Sequence, residues 1–164
     1  SGKKIRYYDA ETGESYIPYV IETSIGVDRM VLQVLSAGYQ EEKLENGEER
    51  TVLSIPAPLA PVKAAVLPLV KKDGLPEIAH RIKNTLRYDY NIQYDEKDSI
   101  GKRYRRQDAI GTPLCITVDH QSAEDGTVTV RDRDTMRQER VNIEAIPALV
   151  ESKAGMRALL DKLA

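Results

Sequence analysis

The feature that most constrains the fold is a nine-residue run, residues 62–70, in which only Lys63 is polar. The run is too short to span a membrane and suits a strand that is buried on both faces of a sheet. Strands of this kind belong to parallel sheets, because crossover helices cover both faces. The run therefore predicts an α/β domain with this segment as a central strand.

Helix and strand patterns alternate after this run. The predicted elements are a helix over residues 76–86, a strand over 90–94, a helix over 100–110 that Ser99 caps, a strand over 114–118, an antiparallel pair over 127–131 and 139–143, and a helical segment over 144–163. Alternation predicts parallel crossovers, and the late pair predicts an antiparallel edge. Together they indicate an α/β fold with a mixed five-stranded sheet covered by helices.

The first third of the chain has a different pattern. It predicts a hairpin over residues 5–17, a strand over 18–23, a helix over 25–39, a solvated charged turn over 41–50 and a strand over 51–55. The proline-rich segment 56–61 is a stiff connector. We therefore predict two domains, residues 1–55 and 56–164.

Composition excludes several classes of protein. A formal net charge of −2 argues against non-specific binding of nucleic acid, which requires a basic excess. One cysteine and two histidines are too few for a disulfide or a structural zinc site. Cys115 is predicted to pack in the core, and His80 and His120 to have surface or capping roles. Without an apolar run of spanning length or a leader pattern, we expect a cytoplasmic protein.

The first candidate site is residues 20–29, where a strand ends, Gly26 follows and Arg29 lies in the first turn of a helix. Glycine permits a ligand to approach the backbone closely, and arginine at a helix start can hold phosphate. The plainer interpretation is an arginine in a surface ion pair. This short pattern, taken alone, favours the plainer interpretation.

The second candidate site is residues 94–113, which include four cations within residues 102–106. On a helix Arg103 and Arg106 share a face, and Tyr104 is predicted to pack on the sheet rather than to stack on a base. Charge alone favours a solvated helix face. The expected acidic partners of its cations are Asp95, Asp98 and Asp108.

Both segments resemble glycyl-tRNA synthetases. Residues 20–29 read Val-Ile-Glu-Thr-Ser-Ile-Gly-Val-Asp-Arg and are similar to motif 3 of class II aminoacyl-tRNA synthetases in its glycine-specific form, with Ser24 and Asp28 replacing the general glycine and glutamate. Residues 98–113 and 127–136 are similar to signature stretches of the anticodon-binding domain of the same enzymes. The resemblance extends over roughly residues 5–150.

The resemblance implies a role for each segment. Residues 1–55 would be the end of a class II catalytic domain, with Arg29 binding the ATP phosphates and Glu22 and Ser24 helping to bind glycine. Residues 56–164 would be an anticodon-binding domain, a five-stranded mixed sheet with three helices. Glycine anticodons carry two consecutive cytosines, whose edges suit carboxylate and guanidinium groups. The residues expected to bind them are Asp95, Asp98, Arg103, Arg106, Asp119, Arg131 and Arg133. Cross-strand ion pairs with Asp132 or Asp134 are an equal alternative for the last two.

The resemblance also implies partners. The full-length enzyme would be a cytoplasmic homodimeric ligase of protein synthesis that uses ATP and Mg²⁺ to join glycine to its tRNA. Nothing like class II motifs 1 and 2 occurs in this chain, so we expect it alone to be inactive, monomeric and free of cofactor and metal. The alternative function is a protein- or nucleic-acid-interaction module of the same fold, as in accessory subunits such as that of mitochondrial DNA polymerase. The intact Glu22, Ser24 and Arg29 argue against that alternative.

Overall fold

The computed structural model describes residues 2, 5–44 and 47–161. The chain divides into two compact units, Ser1–Val31 and Leu32–Ala164, and helix α1 (Val27–Gly38) contains the point of division. The predicted boundary between residues 55 and 56 concerns functional domains and stays a prediction. In the part of the chain that the structure describes, no helix has the length and apolar character needed to cross a membrane.

The first unit contains the predicted hairpin, formed by β1 (Tyr7–Tyr8) and β2 (Ser15–Tyr16). Its turn closes because Gly13 adopts a φ of 71° and donates its backbone N–H to the Asp9 carbonyl. The predicted strand over residues 18–23 is wrong. A strand needs a neighbour for its backbone hydrogen bonds, and this segment pairs with none of the described strands.

The second unit begins with the rest of α1, which leads directly into a hairpin of β3 (Tyr39–Lys43) and β4 (Glu49–Leu53). The predicted solvated turn over residues 41–50 is wrong in its backbone, since β3 and β4 take up much of the segment, but exposure is confirmed for most of its described residues. Glu42 faces Arg50 across the hairpin and accepts from its Nη1 at 2.9 Å, and Lys43 lies opposite Glu49. Asn46, the predicted centre of the turn, lies outside the described residues.

The centre of the second unit is the predicted five-stranded mixed sheet. Its strands are β5 (Ala64–Pro68), β6 (Ile92–Tyr94), β7 (Leu114–Val118), β8 (Thr127–Asp132) and β9 (Gln138–Asn142). They lie in the order β6-β5-β7-β8-β9, with β5, β6 and β7 parallel and β8 antiparallel to both of its neighbours. The parallel part follows from two crossover helices, α2 (Leu75–Leu86) and α3 (Ile100–Ala109).

One face of the sheet, here called the apolar face, packs on α2 and on α5 (Ile146–Ala154). Strand residues such as Val66, Ile116 and Val128 pack there in a continuous cluster with helix residues such as Ile82 and Val150. Each of these side chains is almost fully buried, and such burial stabilises a fold by about 1.5–3 kcal/mol per residue.

The opposite face, here called the charged face, carries α3. Among the described residues, the buried apolar cluster on this face is Ala65, Leu67 and Cys115, with Ile100 and Tyr104 of α3 packed against it. This confirms Cys115 as a core residue. Burial raises the pKa of its thiol to about 12, which keeps the sulfur protonated and unreactive.

Helices are more numerous than the three predicted. A short α4 (His120–Asp125) was not predicted, and it begins with a reciprocal cap between Asp119 and Ser122. The final helical segment is divided at Gly155 into α5 and α6 (Met156–Leu160). Ser99 precedes α3 as predicted, but its side chain makes no capping hydrogen bond.

Candidate nucleic-acid interface

The residues predicted to bind glycine and ATP lie in the first unit. Glu22 and Ser24 are in the irregular segment before α1, and Arg29 is in the first turn of that helix. All three side chains are exposed. They present a carboxylate, a hydroxyl and a guanidinium within one short stretch, and their roles stay predictions.

The predicted arginines of α3 divide between interior and surface. Arg103 is 3% exposed and donates to the backbone carbonyls of Pro68 at 2.6 Å, Leu69 at 3.2 Å and Asp95 at 3.3 Å. Its Nε is buried without a hydrogen-bond partner among the described residues. The guanidinium therefore holds the ends of β5 and β6 in place and does not face solvent.

Arg106 is exposed and binds two carboxylates. Its Nη2 donates to Asp95 Oδ2 at 2.6 Å, and its Nη1 donates to Asp98 Oδ2 at 2.9 Å. The chain turns sharply here, since Asp98 has a φ of 69° and Asp95 accepts the Lys97 N–H. Burial acts to raise the pKa of Asp95, but hydrogen bonds from Lys97 and Arg106 outweigh it and leave the pKa below its ordinary value. We call Asp95, Asp98 and Arg106 the carboxylate–arginine group.

Asp119 lies at the end of β7 and pairs with Arg140 of β9. The guanidinium reaches both carboxylate oxygens, at 2.5 and 2.9 Å, and also donates to Thr127 Oγ1 at 2.7 Å. The hydrogen bonds from Arg140 are the main reason that the pKa of Asp119 lies below its ordinary value. The carboxylate has the further task of capping α4, so one side chain orders both the helix and the sheet edge.

Arg131 and Arg133 of the predicted set are buried, at 3% and 2% exposure. Arg131 forms a bidentate pair with Asp108, at 2.8 and 3.0 Å, and stacks over the ring of Tyr104. Arg133 donates to the carbonyl of Gly111 at 2.8 Å and also binds Asp134. The alternative of ion pairing therefore holds for both, although the partner of Arg131 is neither Asp132 nor Asp134.

Asp108, predicted only as an ion-pair partner on a solvated helix face, lies at the centre of this interior together with Arg50, for which no role was predicted. Asp108 is fully buried and accepts from Arg131 and from Arg50 Nε at 3.0 Å. Arg50 also donates to Glu42 at 2.9 Å and to the Arg133 carbonyl. The missed signal is spacing: Asp108 lies one turn after Tyr104, on the stripe of α3 that faces the sheet, and Arg50 alternates with the buried Val52.

A cleft of about 730 Å³ lies on the charged face. It is lined by Glu48 and Glu49 of the β3–β4 hairpin, Lys102 and Arg105 of α3, and Met136 and Gln138 from the β8–β9 end of the sheet. We call it the hairpin cleft. Ser99 also lines the cleft. It directly follows Asp98 in the chain, so the cleft lies next to the carboxylate–arginine group.

The histidines are exposed, as predicted. His80 stacks on Tyr94 with ring centroids 4.2 Å apart, and His120 begins α4 with its Nδ1 4.0 Å from Asp73. Among the residues that the structure describes, no three His, Cys, Asp or Glu side chains are grouped so as to hold a metal ion.

Curated relatives match nearly the whole chain. It is 54% identical to a glycine–tRNA ligase of Lachnospira eligens and 55% identical to one of Geobacillus kaustophilus, in each case over 93% of this chain. A glycine–tRNA ligase of Borrelia hermsii is 50% identical over 92% of the chain. The chain spans about a third of the length of these relatives.

Solved structures share the fold. The RNA binding domain of threonyl-tRNA synthetase from Cryptosporidium parvum superposes with a TM-score of 0.55 at 24% identity, over 62% of this chain and 26% of that one. Prolyl-tRNA synthetase from the same organism gives 0.56 at 20% identity, over 74% of this chain and 33% of that one. The family model described as "Anticodon binding domain" matches residues 63–153, more than half of the chain and the whole five-stranded sheet. On that match, the chain belongs to the anticodon-binding domain family.

Proposed function

We propose that this chain is the C-terminal part of a glycine–tRNA ligase and that its sheet unit recognises the anticodon of glycine tRNA. The observation that carries the proposal is the carboxylate–arginine group, in which Arg106 and Asp98 are exposed and Asp95 is half-buried, within the segment that matches the anticodon-binding family. Identity of 50–55% to glycine–tRNA ligases over most of the chain supports the choice of glycine.

The carboxylate–arginine group suits the edge of an unstacked cytosine. The base presents an amino donor beside ring-nitrogen and carbonyl acceptors. A carboxylate oxygen of Asp95 or Asp98 can accept from the amino group. Arg106 already donates to Asp95, Asp98 and the Lys97 carbonyl, so its remaining Nη1 N–H can donate to one of the two acceptors of the base. The group is already assembled, because Arg106 holds both carboxylates in the free protein. Preassembly lowers the entropic cost of binding.

The buried arginines have a different part in this proposal. Arg103, Arg131 and Arg133 position the strand ends and loops around the site, since their guanidinium groups are occupied in the interior. Asp119 with Arg140 offers a second, partly exposed pair, and Asp119 follows the carboxyl end of β7 as Asp95 follows that of β6. We propose that it contacts the RNA beside the bases that the carboxylate–arginine group reads.

The first unit belongs to the aminoacylation reaction. In the proposed full-length enzyme, glycine and ATP, with its Mg²⁺, are substrates. Glu22 would hold the glycine ammonium group, with Ser24 beside it, and Arg29 would hold the ATP phosphates through charge-assisted hydrogen bonds. Because this chain contains nothing like class II motifs 1 and 2, we expect it to show no ATP–pyrophosphate exchange and to sediment as a monomer. Exchange above background would contradict the first expectation, and a stable dimer the second.

Anticodon recognition is tested by titrating the chain with glycine-tRNA anticodon stem-loops. Replacing the central cytosine with uracil removes the amino donor, and we expect affinity to fall about tenfold or more. A stem-loop with the same loop and an inverted closing base pair is the control, with unchanged affinity. Equal affinity for the cytosine and uracil loops would refute the proposal.

A further inference from the structure

Three separate elements form the hairpin cleft, and one buried carboxylate ties all three together. Asp108 of α3 binds Arg50 of β4 at 3.0 Å and Arg131 of β8 at 2.8 Å. All three residues are at most 3% exposed, so water screens these ion pairs little. The walls of the cleft are therefore fixed before a ligand arrives, which lowers the cost of binding one.

Charge is distributed unevenly across the cleft. Glu48 and Glu49 stand on the hairpin side, and Arg105 of α3 pairs with Glu48 at 3.6 Å. Lys102 on the α3 side is exposed and makes no ion pair within residues 5–44 and 47–161. A phosphate entering the cleft is therefore attracted to the α3 side and repelled from the hairpin side.

The rest of the lining suits a nucleobase. Gln138 brings an amide with both donor and acceptor atoms, and Met136 brings an exposed apolar side chain. Met136 is held at a φ of 56°, a left-handed conformation that costs a side-chain-bearing residue energy and here turns the chain back towards β9. The volume of about 730 Å³ lies in the range of small-molecule pockets.

We infer that the hairpin cleft binds one unpaired nucleotide of the same RNA loop, beside the cytosines that the carboxylate–arginine group reads. Lys102 holds the phosphate of this nucleotide, and Gln138 reads the edge of its base. The two sites adjoin because Asp98 and Ser99 are consecutive residues, one in the group and one in the cleft. This inference rests on the proposed function and adds a further position of specificity to it.

The experiment combines an RNA change with a protein change. Stem-loops that carry an abasic residue at each loop position in turn are titrated against the wild-type chain and against Gln138→Leu. At one position other than the two cytosines, the abasic change is expected to weaken wild-type binding about tenfold and Gln138→Leu binding much less. Gln121→Leu is the matched control: its amide lies on α4 and donates to Asp125 at 2.8 Å, so it should behave like wild type.

The outcomes separate the two proposals. If every abasic change outside the cytosines has the same effect on wild type and Gln138→Leu, the cleft binds no base and the inference is overturned. If the wild-type chain does not distinguish cytosine from uracil at the central position, the proposed function fails and this inference fails with it. Gln138 is exposed, so an unchanged urea midpoint for Gln138→Leu is expected and attributes the altered binding to the cleft.

Discussion

The two faces of the sheet are built in opposite ways from the same strands. On the apolar face, fourteen buried apolar side chains from the described strands and helices form one cluster. On the charged face, the apolar cluster has three buried members, and much of the remaining interior consists of arginines around Asp108. Each strand contributes to both faces through side chains that alternate from one residue to the next.

The two kinds of interior suit different tasks of the two faces. Apolar packing is non-directional and tolerates small changes, whereas buried ion pairs need their partners at fixed positions. The charged face also carries the hairpin cleft and adjoins the carboxylate–arginine group. A face that orders polar groups accurately is a suitable base for reading the polar edges of RNA bases.

The largest expected effect comes from Asp108→Ala. The substitution leaves Arg50 and Arg131 buried without their shared anion, and the free energy of unfolding should fall by about 3–5 kcal/mol in urea denaturation. Lys71→Ala, which removes one partner of the exposed ion pair between Lys71 and Glu96, is the control and should cost at most about 1 kcal/mol. Replacing Asp108, Arg50 and Arg131 together with Leu, Met and Met should restore part of the loss. Equal losses in the two single variants would remove the contrast between the faces.

Arg106→Glu comes next. Charge reversal places a third carboxylate beside Asp95 and Asp98, and affinity for the glycine stem-loop should fall at least tenfold, about 1.4 kcal/mol. Arg81→Glu makes the same change of charge on α2, which covers the apolar face, and should have little effect on binding. Equal effects of the two reversals would mean that net charge alone governs RNA affinity.

Ile82→Val tests whether a change on the apolar face affects stability without affecting RNA binding. Ile82 of α2 is 2% exposed, and loss of one methylene should lower the free energy of unfolding by about 0.5–1.5 kcal/mol. RNA affinity should stay unchanged, because the substitution lies across the sheet from the cleft. A loss of affinity in titration would show that the faces are coupled.

The smallest effect is the pH dependence of the Asp119–Arg140 pair. The folded-state pKa of Asp119 is depressed, so its contribution to stability is present above the unfolded pKa of about 3.9 and disappears as pH falls through the folded value. Asp119→Asn keeps a good cap for α4 and should lower stability at pH 7 by at most about 1 kcal/mol. The gap between variant and wild type in urea melts should close as pH falls through the lowered folded-state pKa of Asp119. A gap that persists there contradicts the assignment.

The sequence predicts much of the difference between the two faces of the sheet. The central apolar run and the helix–strand alternation predicted the five-stranded sheet, because burial on two faces leaves few other arrangements. Alternation in β8 also indicates that the Arg131 side chain lies on the other face of the sheet from those of Val128 and Val130. What it cannot indicate is that α3 places Asp108 over Arg131, since that contact depends on how the helix crosses the sheet.

The hairpin β3–β4 was not predicted because it, too, depends on contacts between residues that are not neighbours in the sequence. Charges along residues 41–50 indicate solvent exposure when each is considered alone, and pairing across the hairpin reverses that conclusion for Arg50. For the candidate site, the sequence predicted the exposed carboxylates and Arg106 together with three arginines that proved to be buried. Arginine serves equally well in a buried ion pair and at an RNA surface, so residue type does not separate the two roles.

Gly111 is the point at which α3 gives way to the loop before β7, and it has a φ of 82°. A Cβ at this position would lie 3.0 Å from the Leu53 carbonyl oxygen and 3.3 Å from Ile55. The distance between the hairpin strand and the end of α3 is thus set by a missing methyl group. Gly111→Ala would push the hairpin strand away from the end of α3. It would therefore widen the spacing between the hairpin and α3 without changing any side chain that is proposed to contact RNA.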